Sequence, residues 1–295
     1  MQKNEAINIL ALCAIYNRSL ITIKCLDSFY RQSLQFGEIN LTIAVVDDLS
    51  TDNSIELIKK KFPDIKIITT SGNFYWAKSM AYGFKKFWNN SYDFLIAFND
   101  DIILNSNAIQ NIVANYFLYK KIYPTLPITI AGSFFGNDSN KKSLSYGGLN
   151  RIKNSILNFK IQTPNNDFQV VDVINMNFAL IDKQSITLTN FLDDRFIHSG
   201  ADFDYALRLK KKKGVCIIGR GYSGICPRNI NHFEFFDPKS NLNLCKKFQL
   251  LFSPKGLPIT NYVILLKHYY KFTWFFYTPI PCIKVFFMHL LRSFY

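Results

Sequence analysis

The chain has 295 residues, of which 48% are hydrophobic and 16% aromatic. That is enough apolar material for one large domain or two smaller ones, and it excludes a disordered or low-complexity chain. The formal net charge is +14, with Lys and Arg scattered rather than blocked, which favours a polyanionic partner: nucleic acid, an anionic membrane surface or a phosphorylated substrate. The six cysteines include no Cys-x-x-Cys pair, which argues against a zinc ribbon or a disulfide scaffold and favours reduced, cytosolic thiols.

In chain order, the apolar run at 7–16 follows a leader of mixed charge and reads as a first strand rather than a signal peptide. Apolar runs at 7–15, 41–46, 65–69, 93–98 and 128–134 alternate with helix-periodic segments near 19–33, 53–61, 76–88 and 106–121. Short buried strands alternating with helices predict βαβ units and a largely parallel sheet. After 135 the breaks Gly136-Asn137-Asp138, Gly147-Gly148 and Pro164-Asn165-Asn166 predict hairpins or edge strands. A helix is expected at 201–213, where Lys210 to Lys213 followed by Gly214 form a good stop. Beyond 240 the chain is basic and aromatic. The stretch 273–291 is long enough to span a membrane, but Pro279, Pro281, Lys284 and His289 interrupt it. An amphipathic segment in the membrane interface, or ordinary packing, is favoured over a spanning helix.

Ligands of an open parallel sheet bind at the carboxyl ends of its strands. Asn17-Arg18, Asp47-Asp48, Gly72-Asn73 and Asn99-Asp100-Asp101 follow four successive predicted strands. One such cluster is no more than a turn, because Asx residues favour turns. Four in succession line one edge. The first βα turn lacks Gly-x-Gly-x-x-Gly, and no Gly-x-x-x-x-Gly-Lys-Ser/Thr occurs, so neither dinucleotide nor P-loop binding has local support. Carboxylates in a basic protein instead suit a divalent cation that bridges to phosphates and supplies charge to a leaving diphosphate.

These stretches resemble family 2 glycosyltransferases of the GT-A fold, which use nucleotide-diphosphate sugars. The resemblance runs over about residues 7–235. It is carried by ALCAIYNRSLITIKCLDSFYRQS, IAVVDDLSTDNSIELI, SGNFYWAKSMAYG, FNDDI and FIHSGADFDYALRLKKKG, in the family's order and spacing. It implies a Rossmann-like, mostly parallel sheet with flanking helices. The catalytic domain would be 1–239, with a nucleotide-sugar half to about 135 and an acceptor half over 136–239. A helical basic and aromatic segment would follow over 240–295.

Carried over residue by residue, the resemblance puts Asp47 and Asp48 on the base or ribose, with Asn17, Arg18, Gly72 and Asn73 lining the same pocket. Asp101 would hold the metal, Mn2+ or Mg2+, with Asp100 assisting. Asn99 stands where the family more often has Asp, and an amide there can still bond a ribose hydroxyl. His232 falls where some relatives place a histidine near the metal or diphosphate. Asp202 takes the general-base role in a pair that reads Ala201-Asp202 here instead of Glu-Asp; Asp204, Asp193 and Asp194 are its rivals. Trp76 packs either on the donor sugar or in the core, and His198 is a candidate for the acceptor pocket.

The implied activity is inverting transfer from a dTDP- or UDP-sugar to a hydroxyl of a bacterial cell-surface glycan precursor, such as a lipid-linked O-antigen or capsule unit. Tyr75-Trp76 resembles rhamnosyltransferase-like members, which tilts the donor toward dTDP. The expected location is cytoplasmic and peripheral, against the anionic inner face of the membrane, with no nucleic acid bound. A sugar nucleotidyltransferase is the near alternative, and a basic nucleic-acid-binding protein the distant one. The first lacks the glycine-rich loop such enzymes need after the first strand. The second leaves the ordered carboxylates without a purpose.

Overall fold

The computed structural model describes residues 6–34, 39–136, 143–228 and 234–291. Its centre is an eight-stranded sheet. The parallel half comprises β1 (Ile7–Ile15), β2 (Ile39–Asp47), β3 (Lys66–Thr69) and β4 (Phe94–Phe98), in spatial order β3-β2-β1-β4. Beyond β4 lie β13 (Phe178–Asp182), β6 (Ile128–Ala131), β14 (Val215–Ile218) and, at the edge, β11 (Gln169–Val171).

The period of two is kept along the central strands. Leu10 and Leu12 of β1, with Leu95 and Ala97 of β4, face one core layer. Ile9, Ala11, Cys13 and Ile15, with Phe94, Ile96 and Phe98, face the other. Strands buried on both faces read as continuous apolar runs, which is why they stand out in the sequence. Helices α3 (Tyr75–Phe87), α5 (Lys183–Thr189) and α6 (Ala201–Lys211) cover the first layer. Helices α1 (Ser19–Tyr30), α2 (Ser54–Lys61) and α4 (Ala108–Ile122) cover the second.

Two features depart from the expected pattern. The predicted strand 128–134 is two strands: β6 ends at Ala131, and β7 (Phe134–Phe135) belongs to a separate four-stranded sheet with β5 (Ile103–Leu104), β8 (Leu144–Tyr146) and β15 (Gly224–Ile225). The chain changes sheet at Gly132, where a Cβ would meet Ser223 Oγ at 2.5 Å and Phe178 Cδ1 at 2.7 Å. In addition, β13 runs antiparallel to both β4 and β6 in the middle of the main sheet. A third, three-stranded sheet contains β9 (Gly148–Arg151), β10 (Phe159–Ile161) and β12 (Val173–Ile174).

The C-terminal segment divides its contacts. Helix α8 (Ile259–Tyr269) packs on α6: Leu265 joins the first core layer, and Asn261 Nδ2 donates to Ser199 O (2.9 Å). Helices α7 (Leu244–Leu251) and α10 (Ile280–Leu290), with the short α9 (Trp274–Tyr277) between α8 and α10, lie outside that layer. Leu251, Val285 and Phe235 form a small cluster of their own. Among the described residues, no helix is long and apolar enough to cross a membrane.

Gly83 lets α3 lie flush on the sheet, since a Cβ there would fall on Val46 Cγ2 and approach Leu12 Cδ1 at 3.0 Å. Gly83→Ala is expected to lose about 1–3 kcal/mol through overpacking, more than the gain of about 1 kcal/mol in helix propensity. Equilibrium denaturation measures the balance, and a stabilised variant would show that α3 sits off the sheet.

Candidate active site

The carboxyl ends of β1, β2, β3 and β4 form one rim, and side-chain-to-backbone bonds join its loops. Asn17, at φ +49°, accepts from Thr51 N (2.7 Å) through Oδ1 and donates to Thr51 Oγ1 (3.2 Å). Asp47 is buried and takes the Ser50 N–H on both oxygens (3.1 and 3.2 Å), an Asx turn that closes the loop after β2. Asp48, also buried, accepts from Thr70 Oγ1 (2.6 Å), Phe74 N (3.0 Å) and Tyr75 N (2.8 Å). Both carboxylates are therefore engaged with their own protein, shaping the pocket wall. Gly72, at φ +86°, makes the turn that this bonding requires, and Asn73 beside it is exposed.

A charge contact joins the loops after β1 and β4. Arg18 Nη1 donates to Asp100 Oδ1 at 2.9 Å and to Asp101 Oδ2 at 3.2 Å. Thr22 Oγ1, one turn along α1, donates to Asp100 Oδ2 (3.2 Å), and Cys226 Sγ approaches Asp101 Oδ1 (3.7 Å). Burial pushes the Asp100 carboxyl up to about 6, against the opposing pull of Arg18. Asn99 Oδ1 is buried and has no hydrogen-bond partner among the described residues.

Oxygens of two carboxylates thus converge on a single guanidinium nitrogen, which marks a cation position. Among the described residues, no three His, Cys, Asp or Glu side chains cluster tightly enough to cage a metal. A hard cation of the Mg2+ type needs no such cage, because one or two carboxylates plus substrate phosphates complete its shell. The pair fits an ion of that kind. His232 lies outside the described residues.

On the acceptor side, α6 opens at Gly200, which has φ +86° and a virtual Cβ at 3.0 Å from Leu265 Cδ1. Asp202, in the first turn, is half-buried and accepts from Phe203 N (2.9 Å). Burial raises its carboxyl to about 6, while hydrogen bonds from the Met176 backbone and the Asn175 side chain pull the other way.

Its three rivals are all committed elsewhere. Asp204 is buried between Arg208 Nε (2.6 Å) and His268 Nε2 (2.8 Å). Asp193 is held low by the Arg195 guanidinium, and Asp194 pairs with Lys85 (2.8 Å).

Two links tie the rims together. Ile197 O accepts from Ala77 N (3.0 Å) and Lys78 N (3.2 Å) at the start of α3, which sets His198 beside Tyr75, with ring centroids 6.3 Å apart. Trp76, next in the chain, is half-buried against the core, and its Nε1 has no partner among the described residues.

The second link was not foreseen from sequence. Asn175 and Met176 bond Asp202. Asn177 O accepts from Asn99 N (3.1 Å), and Asn177 Nδ2 donates to Cys226 Sγ (3.5 Å) beside Asp101. Three consecutive residues, which reach at most about 10 Å when extended, thus run from Asp202 to the Asn99 backbone and the Cys226 thiol beside Asp100–Asp101. The only sequence sign was an Asn-x-Asn pair before an apolar run.

Comparison with known proteins agrees with this fold. Residues 12–183, more than half of the chain, match the family described as glycosyl transferase family 2. Among solved structures, the chain is similar to Staphylococcus aureus TarS 1-349, with a TM-score of 0.52 and 13% identity over 90% of this chain and 72% of that one. It is similar to the mannosyltransferase PcManGT of Pyrobaculum calidifontis in complex with GDP-Man and Mn2+ (TM-score 0.54, 12% identity, 99% and 76% of the two chains). It is also similar to GalNAc-T7 with UDP, GalNAc and Mn2+ (TM-score 0.57, 12% identity, 76% and 44%). At such identities the likeness is one of fold. No curated protein sequence matches the chain. The α/β architecture is that of the GT-A glycosyltransferases, and the chain belongs to glycosyl transferase family 2.

Proposed function

We propose that the enzyme transfers a sugar, with inversion, from a dTDP- or UDP-sugar to a hydroxyl of a lipid-linked bacterial glycan precursor of the O-antigen or capsule kind, working as a peripheral protein on the cytoplasmic face of the membrane. The observation that carries the reading is the adjacent pair Asp100–Asp101 on the Arg18 guanidinium, with residues 175–177 running from the half-buried Asp202 to the Asn99 backbone beside that pair. The dTDP tilt rests on the resemblance of Tyr75-Trp76 to rhamnosyltransferase-like turns. Two of the similar structures hold a nucleotide and Mn2+, which supports a divalent cofactor here.

In this reading Asp101 holds the divalent metal, Mn2+ or Mg2+, with Asp100 beside it and His232 as a further ligand. When bound, the ion supplies positive charge to the departing diphosphate. Arg18 is the residue already on that spot. Its guanidinium would be placed for the diphosphate, which a planar fork binds well. Asn17, Asp47, Asp48, Gly72 and Asn73 form the nucleotide wall, and Asn99 offers its unpaired amide oxygen to a ribose hydroxyl. Trp76 lies against the donor sugar. Asp202 takes the proton of the acceptor hydroxyl as that oxygen bonds to the anomeric carbon and the bond from that carbon to the diphosphate oxygen breaks. A base raised to about 6 is deprotonated at neutral pH yet still basic enough to assist.

Three outcomes are expected. Asp202→Asn should cut turnover by about 10²–10⁴-fold, the range of general-base assistance, while donor affinity stays within a few fold; normal turnover would remove Asp202 from the mechanism. Because the deprotonated form works, wild-type kcat/KM should fall about tenfold per pH unit below about 6 and level off above it; a rate–pH profile flat from 4.5 to 7 would contradict this.

Arg18→Ala should lose about 1–3 kcal/mol, since it strands two carboxylates, although the partial exposure of Arg18 softens the loss. Mn2+ should raise the melting temperature of that variant more than that of the wild type, where the guanidinium competes. Equal shifts would show that the ion binds elsewhere.

A further inference from the structure

We infer that the outward face of α9 and α10 is a docking surface for an anionic lipid bilayer. This deepens the peripheral-membrane part of the proposed function and rests on that reading. It adds the surface itself and the residues that form it.

Helix α10 is apolar on two sides. Pro281 and Val285, at i and i+4, are buried, and Val285 meets Leu251 and Phe235. Ile283, Phe286, Phe287 and Leu290, at i, i+3, i+4 and i+7, are all exposed. That spacing is one continuous helical stripe. Just before it, Phe272 is 84% exposed and Phe276 67%, and the Phe275 and Phe276 rings lie 4.1 Å apart. Scattered exposed apolar residues are normal, but a contiguous apolar patch on a protein surface marks an interaction site.

Charge selects the occupant. From Pro238 to the last residue there is no Asp or Glu, while Lys239, Lys246, Lys255, Lys267, Lys271 and Lys284 supply six exposed cations among the described residues, and Lys247 is buried with Nζ donating to Asp237 O (2.7 Å). Lys271 is exposed beside Phe272, Lys267 sits over the Trp274 ring (4.5 Å) and Lys284 over Phe236 (4.4 Å). Phenylalanines projecting among lysines match the boundary between acyl chains and anionic headgroups. A second copy fits poorly, because a two-fold interface would set this cationic patch against itself.

The location suits the chemistry. Helix α8 leads directly into α9, and His268 of α8 bonds Asp204, two residues from Asp202. The proposed bilayer face is thus one helix away from the base that would meet a lipid-linked hydroxyl.

The test uses the full chain with unilamellar vesicles of phosphatidylcholine, alone or mixed equally with phosphatidylglycerol. Wild type should co-sediment with the mixed vesicles, release as salt rises, and ignore phosphatidylcholine alone. The triple variant Phe272→Ser/Phe276→Ser/Phe287→Ser should lose about tenfold or more in partitioning, and Lys271→Glu/Lys284→Glu a similar amount, given about fivefold per surface cation. Both should keep the wild-type circular dichroism and donor hydrolysis, because these side chains are exposed. Ile122→Ser on α4, also exposed, should change nothing.

Equal binding by wild type and the triple variant, or no binding to mixed vesicles, overturns the proposal. So does a concentration-dependent dimer in sedimentation velocity that the triple variant abolishes while vesicles are ignored; that result would assign the face to a second copy. Vesicle binding is read without turnover, so absence of donor hydrolysis in every protein would count against the transferase reading and not against the surface.

Discussion

Two adjacent carboxylates at the end of a buried strand need positive charge, and Arg18 provides it. An unpaired buried carboxylate is costly enough that it protonates instead, and the rise of Asp100 to about 6 shows that one guanidinium meets the demand only in part. Meeting it at all requires β1 beside β4, parallel and in register, so that the loop after Ile15 and the loop after Phe98 emerge together. It also requires α1 to begin where Thr22 reaches Asp100. The central pairing of the sheet and the ligand edge are therefore one problem with one solution.

Around that centre the two rims are built differently. The rim at the ends of β1 to β3 is a set of loops held by Asn17, Asp47 and Asp48 bonding backbone amides, so its shape is set by the chain itself. The facing rim is a helix end. Its direction is fixed by Asp204, which ties α6 to α8 through His268 and closes back on residues 189 and 191 through Arg208. Asp204 and Asp202 are neighbours on one helix turn with different surroundings: Asp204 is held between Arg208 and His268, while burial raises the Asp202 carboxyl to about 6.

Much of this was legible. The first four apolar runs and the four helical segments up to residue 122 are where periodicity places them, because strands covered on both faces and helices with one buried face leave strong signals. The direction of β13 was not legible, since a short buried run looks the same parallel or antiparallel. Nor was the break at Gly132, which depends on Ser223 and Phe178 arriving from far along the chain. Helix α5 is only seven residues long, and its one sign is Asp182, which accepts from Ser185 N (2.7 Å). Polar strand ends singled out the candidate residues, but how each carboxylate is engaged depends on hydrogen bonds to distant backbone. The separation of Asp202 from Asp204 depends on His268, 64 residues away.

The tripeptide 175–177 has a mechanical consequence. The gap between Asp202 and the Asn99 backbone is spanned by covalent geometry, and the tripeptide is anchored by Asn175 N to Gly147 O (2.9 Å) and by β13 locked into the sheet. Such a spacer cannot stretch or shorten to suit a new acceptor without moving a central strand. The segment around His198 and the helices beyond α6 can vary without that strain, while the spacing from Asp202 to the Asn99 turn stays constant.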